Sequence, residues 1–217
     1  MRTRRRNLFL LLIATLFVTS STSGAEKFVY NCNQGFVWIH EGKGYPILTD
    51  VNEDKGVLRA IQTLVKDART ITDASIETFQ SLKENRMIII GTIGQSTWIQ
   101  QLIASGKIDR KELEGKREKY LIQTIEQPFQ GVDEAVVIAG SDKRGAIYGI
   151  YELSEQMGIS PWYYWADVPI HKQSTICIKP GIYTDGEPAV KYRGIFLNDE
   201  WPCLGNWANM TFGGFNS

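Results

Sequence analysis

The stretch RMIIIG at residues 86–91 is a continuous apolar run with the length of one β-strand. A second run of the same kind, AVVIA, occupies residues 135–139. Apolar runs without polar alternation are typical of strands that are buried on both faces, as in parallel sheets covered by helices. Because a helical segment follows each run, we predict that the two strands are parallel neighbours at the centre of a small layered α/β domain with a mostly parallel sheet.

Three segments around these runs show the apolar spacing of a helix that buries one side. We predict helices over residues 55–69, 95–104 and 144–157, the last of them ended by Gly158. Asp142 precedes the last helix, and an Asp there favours an N-cap, because its carboxylate can accept hydrogen bonds from the free backbone N–H groups of the first turn.

The remaining segments before residue 160 are less regular. Residues 36–40 and 45–49 are short apolar runs separated by Glu-Gly-Lys-Gly, which predicts a β-hairpin. Residues 120–125 alternate loosely and are predicted to form a further strand. The charged residues 107–119 are predicted to be a solvated helix or loop.

A glycine-containing segment, Gly91-Thr92-Ile93-Gly94, follows the first buried strand. Nucleotide-binding loops at this position carry the spacing G-x-G-x-x-G, which this segment lacks. We therefore predict a tight turn from strand to helix and no nucleotide site.

The character of the sequence changes at Ser160. Residues 161–165 combine one proline with four aromatic residues, and further prolines follow, which indicates a linker that lies against a neighbouring domain. Residues 192–197 then form a new apolar run, predicted to be a buried strand, with polar and acidic residues directly after it. Polar residues at the carboxyl end of a buried strand are typical of the first strand of a (β/α)8 barrel, here truncated at Ser217.

The N-terminus has the pattern of a secretory signal peptide. Arginines at positions 2, 4, 5 and 6 precede the apolar residues 8–18, and Ser23-Gly24-Ala25 supplies the small residues of a cleavage site. This stretch of eleven residues, all apolar except Thr15, is too short to span a bilayer, which needs about 20. We predict cleavage after Ala25, no membrane attachment afterwards, and a secreted or periplasmic protein. The predicted organisation is a signal peptide (1–25), an α/β domain (26–180), and a linker with the first barrel strand (181–217).

Charge and cysteine content restrict the classes of function. The whole chain has 24 basic and 24 acidic residues, and cleavage would remove four arginines and no acid. The resulting acidic balance argues against nucleic acid as a partner, since nucleic-acid binding needs a basic surface. Cys32, Cys177 and Cys203 allow one disulfide whose pairing the spacing leaves open, but three buried thiols without a role are the favoured interpretation. Neither they nor the two isolated histidines have the spacing of metal ligands, so we expect no metal site.

Four segments resemble glycoside hydrolases. Residues 141–153 with Gly158 resemble the last helix of the small α/β domain that precedes the barrel in β-N-acetylhexosaminidases and α-glucuronidases. Residues 160–169 and 192–200 are similar to glycoside hydrolase family 115, the xylan α-1,2-glucuronidases, and residues 207–217 fit that family as well. The resemblance implies a TIM barrel with further domains, inverting removal of (4-O-methyl)glucuronic acid from xylan, and no cofactor. The implied partner is glucuronoxylan or its oligosaccharides, and the sequence leaves a homodimer open.

The resemblance also selects candidate substrate-binding residues. Asp199 is the first of them, with Asn198 and Glu200 as neighbours, because these residues would lie at the mouth of the barrel. An alternative of equal weight is an Asp199 that caps the next turn. Neighbouring strand residues point to opposite faces, so Asp199 and Glu200 are not expected to be the catalytic acid and base. The resemblance implies that this pair comes from later strands, beyond Ser217.

Four further residues have a structural and a functional interpretation. Lys143 and Arg144 could reach a uronate carboxylate at the barrel mouth, although capping by Asp142 is the favoured role of their segment. Arg193 is expected to form a structural ion pair rather than to bind substrate. Trp165 could stack on a sugar, whereas packing between domains is the preferred role for the aromatic residues just before it.

Three hypotheses of function follow. The first is an α-glucuronidase, in which this chain alone is expected to be inactive because most of the barrel is absent. The second is a β-N-acetylhexosaminidase of the same domain plan. The third is a non-catalytic carbohydrate-binding or interaction fragment.

Overall fold

A computed structural model describes residues 26–30, 35–163, 166–196 and 204–213. Within these ranges the chain forms ten strands, four α-helices and one short 3-10 helix. In chain order the elements are β1 (Val29–Tyr30), β2 (Phe36–His40), β3 (Lys43–Gly44), β4 (Ile47–Thr49), α1 (Lys55–Thr72), β5 (Thr78–Phe79), β6 (Arg86–Thr92), α2 (Thr97–Ala104), the 3-10 turn Arg110–Glu112, β7 (Tyr120–Glu126), β8 (Glu134–Gly140), α3 (Lys143–Met157), β9 (Thr175–Ile178), β10 (Ile182–Tyr183) and α4 (Leu204–Phe212).

The larger sheet has six strands in the order β10-β7-β8-β6-β4-β5. Strands β5, β4, β6 and β8 run parallel, while β7 and β10 are antiparallel to their neighbours. Strands β6 and β8 lie side by side in the centre, with Ile88 opposite Val136. The prediction of two buried, parallel and neighbouring strands is therefore confirmed, as is the mixed α/β class.

The helices cover both faces of this sheet. Alternate residues of a strand point to opposite sides, so Ile88 and Ile138 pack with α1 and α3, whereas Ile89 and Val137 pack with α2. The three predicted helices are confirmed with small changes at their ends. Helix α1 extends to Thr72, and α2 begins at Thr97 after its N-cap Ser96.

A second, antiparallel sheet of four strands has the order β1-β9-β2-β3 and joins the core on the side of α1 and α3. The predicted hairpin is only partly correct, because β2 pairs with the two-residue strand β3, and β4 instead joins the larger sheet beside β6. Pro46 explains the change of sheet: proline has no N–H to continue the β2 ladder, while its carbonyl accepts a hydrogen bond from Ile88.

Two further strands follow the change in sequence character at Ser160. Strand β9 is fully buried in the middle of the smaller sheet, between β1 and β2. Strand β10 pairs with β7 at the edge of the larger sheet. Strand β9 lies within the predicted α/β domain (26–180), and β10 lies just after it, in the segment predicted to be a linker. The partners of both strands are distant in sequence and gave no local signal.

The predicted buried strand at residues 192–197 is also not found where the structure describes it. Residues 192–196 form no strand, and Ile195 and Phe196 are 79% and 90% exposed. A strand becomes regular and buried only beside a partner that accepts its backbone hydrogen bonds, and none of the described strands pairs with this segment. Helix α4 follows at Leu204–Phe212.

Among the described residues, none of the helices combines the length and the apolar character needed to cross a membrane.

Asp67 and Ser154 connect α1 to α3, and this contact predicts a pH-dependent stability. The Ser154 hydroxyl donates a hydrogen bond to the Asp67 carboxylate, while burial raises the pKa of Asp67. An acid with a raised pKa in the folded state stabilises the fold at low pH and loses that contribution as the pH rises through the folded pKa.

We therefore expect Asp67→Asn to melt at a higher temperature than the wild type at pH 7, because the amide removes a buried charge and keeps an acceptor for Ser154. At pH 3, where Asp67 is mostly neutral in the unfolded chain too, the difference should disappear. Thermal unfolding followed by circular dichroism at both pH values measures this. A lower melting temperature of the variant at pH 7 would show that the charged form is the stabilising one.

Candidate functional site

Parallel strands β4, β6 and β8 end on the same side of the larger sheet, and β7 begins there. We call this region the carboxyl edge: the residues that follow Thr49, Thr92 and Gly140, together with those just before Tyr120. In open α/β sheets, ligands commonly bind outside the carboxyl ends of the strands. A site formed by the sequence-predicted residues is therefore expected at the carboxyl edge.

Two buried carboxylates, Asp50 and Glu53, follow β4 at this edge. Asp50 accepts hydrogen bonds from the hydroxyl of Thr97 (2.6 Å) and from its backbone N–H (3.1 Å), and these bonds, led by the hydroxyl, hold the pKa of Asp50 below its usual range. Glu53 accepts from the backbone N–H of Thr92 at 2.8 Å and from its hydroxyl at 3.0 Å. Both carboxylates thus fix the connection from β6 to α2.

The same connection contains the glycine segment that the sequence singled out. A Cβ at Gly91 would lie 2.4 Å from the Cβ of Ser96, the N-cap of α2, so only glycine allows the chain to turn this closely. The prediction of a tight turn is confirmed.

Asp142 lies at the start of α3 and uses both carboxylate oxygens. One oxygen accepts from the N–H of Gly145 at 2.8 Å, which confirms the predicted N-cap. The other accepts from the N–H of Glu118 at 2.9 Å. Asp142 therefore stabilises the first turn of α3 and also ties it to the loop before β7.

The two cations after Asp142 face acidic groups of the chain itself. The Nζ atom of Lys143 lies 3.8 Å from a carboxylate oxygen of Asp54, the N-cap of α1. The guanidinium of Arg144 lies 2.9 Å from the carboxylate of Glu118. Both side chains remain more than half exposed, so they stay accessible at the carboxyl edge.

Glu118 is the centre of the most connected charge cluster at this edge. Its carboxylate accepts hydrogen bonds from Arg193 and Arg144, which hold the pKa of Glu118 below its usual range. Arg193 also donates to the hydroxyl of Tyr148 at 2.8 Å. The prediction that Arg193 forms a structural ion pair is confirmed. Glu118 itself was missed, because its partner Arg193 is 75 positions away and no local pattern indicates the contact.

Several predicted residues fall outside the described ranges. These are Asn198, Asp199, Glu200 and Trp165, as well as Cys32 and Cys203, so their predicted roles and the cysteine pairing stay predictions. Cys177 is buried on β9. Within the described residues, His, Cys, Asp and Glu side chains form no group of three or more that could hold a metal ion.

A concave region lies at the opposite edge of the sheet, away from Glu118. It is a groove of about 860 Å³ lined by Tyr45, Phe79 and Arg86, among others. Arg86 is paired with Glu134 at 2.6 Å. Of the predicted site residues that the structure describes, Lys143 and Arg144 are not among the residues that line this groove.

The carboxylates at the carboxyl edge hold segments of the chain in place, because each of them already accepts hydrogen bonds from the protein. Asp50, Glu53 and Asp142 accept hydrogen bonds from backbone N–H groups, and Glu118 is held by two guanidiniums. A general acid or base must exchange protons with substrate at hydrogen-bond distance, and these four carboxylates are engaged by the chain instead. Their arrangement is that of a scaffold.

Comparison with known proteins places this scaffold in a family. The model "Glycosyl hydrolase family 67 N-terminus" matches residues 46–153, and the model "Glycosyl hydrolase family 115" matches residues 185–217. No curated protein matches the chain. Among solved structures, a family GH115 4-O-methyl-alpha-glucuronidase with specificity for decorated arabinogalactans is 35% identical, with a TM-score of 0.68 over 82% of this chain.

More distant solved structures include a mutant Streptomyces plicatus beta-hexosaminidase (11% identity, TM-score 0.39, 70% of this chain and 23% of that one). Another is the GH20 beta-N-acetylhexosaminidase from Streptomyces coelicolor A3(2) (13% identity, TM-score 0.40, 72% and 24%). At these TM-scores neither supports an argument about this chain. The chain spans 22% of the length of the glucuronidase that it matches at 35% identity. That identity and the family match at residues 185–217 show that the chain belongs to glycoside hydrolase family 115.

Proposed function

We propose that the full-length protein is an exported α-glucuronidase that removes glucuronic acid or its 4-O-methyl ether from xylan by inverting hydrolysis. One observation carries the proposal: 35% identity over 82% of the chain to an enzyme described as a 4-O-methyl-alpha-glucuronidase. The matching part is about a fifth of that enzyme. We therefore propose that this chain alone has no turnover and supports the catalytic part.

The organisation of the carboxyl edge supports this division of roles. Inverting glycosidases need a carboxylic acid and a carboxylate about 6.5–9.5 Å apart, one to protonate the leaving oxygen and one to activate water. The described carboxylates at the carboxyl edge are instead held by the chain's own donors. We propose that residues 26–180 form the α/β domain and that residues 181–217 lead into the barrel, with Asp199 contacting substrate at its mouth.

The polysaccharide from which the uronic acid is removed is a separate question, and there are two candidates. Glucuronoxylan follows from the similarity of residues 160–169 and 192–200 to xylan α-1,2-glucuronidases. A decorated arabinogalactan is the second candidate, because the 35% identical enzyme has that specificity. In both proposals the enzyme releases an α-linked glucuronic acid or its 4-O-methyl ether, so the α-glucuronidase activity is common to the two.

The experiment is to incubate the full-length protein with glucuronoxylan and, separately, with an arabinogalactan that carries 4-O-methylglucuronic acid. We expect free uronic acid from glucuronoxylan, measured by ion-exchange chromatography. Faster release from the arabinogalactan would mean that arabinogalactan, and not xylan, is the preferred substrate. The proposed α-glucuronidase activity would still hold. No uronic acid from either polymer would contradict the glucuronidase proposal.

The proposed export predicts which residue is the first of the mature protein. Because the arginines and the apolar residues 8–18 form a cleavable signal, the protein recovered outside the cytoplasm should begin at Glu26 or within a few residues of it. N-terminal sequencing measures this directly. An intact Met1 in a membrane fraction would contradict it.

A further inference from the structure

The groove lined by Tyr45, Phe79 and Arg86 lies where the two sheets meet, at the amino ends of β4 and β6. Its other lining residues come from the hairpin of β2 and β3 and from β5 with the residues before it. Strands β3 and β5 are each the last strand of their sheet. The volume of about 860 Å³ is within the range of about 300–1,000 Å³ in which proteins bind small organic molecules. The groove therefore has the dimensions of a binding site.

The two sides of the groove are held at a fixed distance by close packing. A Cβ at Gly44 of β3 would lie 2.2 Å from the Cδ1 atom of Ile76, a buried residue just before β5. Glycine at this position thus lets the hairpin pack directly on the other side. The indole of Trp38 donates a hydrogen bond to the carbonyl of Tyr45 at 2.8 Å, and the N–H of Tyr45 donates to the carbonyl of Trp38 at 3.0 Å. The fold itself therefore sets the shape of the groove.

Two partly buried aromatic rings line the groove. The ring of Tyr45 lies 6.1 Å from the ring of Phe36, and the guanidinium of Arg86 lies 5.8 Å from the centroid of the Tyr45 ring. The ring of Phe79, on the edge strand β5, has the ammonium group of Lys83 at 4.2 Å from its centroid. Rings that the chain already holds in place offer flat apolar surface to a ligand at a small cost in conformational entropy.

The lysine, the arginine and the two glutamates of the groove balance in charge. Lys43 and Arg86 contribute two positive charges, and Glu77 and Glu84 contribute two negative charges. An anionic ligand would favour an excess of bases, and a cationic ligand would favour an excess of acids. Arg86 is also already paired with Glu134 at 2.6 Å, which weakens the attraction for an anion further. The groove therefore combines donors, acceptors and aromatic rings in the proportions that suit a neutral ligand.

A neutral sugar has the groups that match this lining. The faces of a pyranose ring carry C–H groups that pack against aromatic rings. Its hydroxyls both donate and accept hydrogen bonds, so they can donate to the carboxylates of Glu77 and Glu84 and accept from the ammonium group of Lys43. A long groove between two strands also suits the interior units of a sugar chain better than a single small molecule.

We propose that the groove binds a neutral stretch of a polysaccharide chain. The choice of xylan as that chain rests on the proposed glucuronidase function, whereas the binding of a neutral sugar chain rests on the lining of the groove. The groove holds the polymer in this account, and the catalytic part of the full-length protein carries out the hydrolysis.

The test measures the binding of xylohexaose, which carries no uronic acid, to the full-length protein by isothermal titration calorimetry. Phe79→Ala removes one of the two rings. Tyr151→Ala is the matched control, because it removes an exposed aromatic side chain of α3 that does not line the groove. A double variant, Lys43→Gln with Glu77→Gln, changes two exposed side chains of the groove and keeps the charge balance. Thermal unfolding of each variant shows that it is folded.

We expect the Kd of xylohexaose to rise about three- to tenfold in Phe79→Ala and in the double variant, since aromatic contacts and hydrogen bonds contribute on this scale. The Kd should be unchanged in Tyr151→Ala. KM for polymeric glucuronoxylan should rise by a similar factor in the two groove variants. KM for a xylobiose with one glucuronic acid should stay the same, because so short a substrate does not extend to the groove.

The outcomes separate this inference from the proposed activity. The inference would be overturned if xylohexaose does not bind the wild type, or if its Kd is the same in the wild type and in the folded groove variants. Tighter and groove-dependent binding of a galactohexaose would identify a galactan as the neutral chain and support the groove as its site. Groove-dependent binding by a wild type that releases no uronic acid would contradict the glucuronidase function and support the groove.

Discussion

Gly145→Ala is expected to lower the free energy of unfolding by about 2–3 kcal/mol, within the usual cost of overpacking a core. A Cβ at Gly145 would lie 2.2 Å from the carbonyl oxygen of Lys119 and 2.9 Å from its carbonyl carbon. These are backbone atoms of the residue just before β7 and cannot rotate away. Alanine favours a helix over glycine by about 1 kcal/mol, and this gain only partly offsets the clash.

The measurement is thermal or urea unfolding of Gly145→Ala beside Gly94→Ala. A Cβ at Gly94 would meet nothing within 4 Å, and Gly94 has no positive φ, so this control should stay within about 0.5 kcal/mol of the wild type. Equal stability of the two variants would mean that α3 does not approach β7 as closely as described.

Asp199→Asn in the full-length protein is expected to lower turnover of glucuronoxylan about ten- to a hundredfold with the fold intact. A charge-assisted hydrogen bond to a sugar hydroxyl or to water contributes about 1.5–3 kcal/mol, which corresponds to that range of rates. The amide keeps the shape of the side chain and removes its charge, so the variant tests the carboxylate rather than packing.

Kinetics and melting temperature of Asp199→Asn should be measured together. If Asp199 caps a turn, the variant should melt at a lower temperature while its folded fraction keeps normal kinetics. Wild-type kinetics with an unchanged melting temperature would leave residues 198–200 without a role in binding.

The parts of the fold that were predictable have local signals. Strands β6 and β8 are continuous apolar runs, and the cap of α3 joins Asp142 to Gly145, three residues away. The smaller sheet has no such signal, because β9 is a four-residue strand in a segment interrupted by prolines. Its partners begin at Val29, almost the whole length of the described chain away.

The same distinction applies to the carboxyl edge. An ion pair was predictable for Arg193 from its type and its position next to an apolar run, but its partner was not. Glu118 is in a charged stretch that resembles a solvated loop, and its partners Asp142, Arg144 and Arg193 are all distant in sequence. Local patterns therefore identified the cation and missed the acid that holds it.

The activity of the full-length protein on a defined substrate tests the central claim most directly. The measurement is a ¹H NMR time course on a xylo-oligosaccharide with one α-1,2-linked 4-O-methylglucuronic acid, beside a parallel assay with an N-acetyl-β-glucosaminide. The account predicts release of free uronic acid with the β anomer appearing first, and no cleavage of the glucosaminide. Cleavage of the glucosaminide without any release of uronic acid would contradict it.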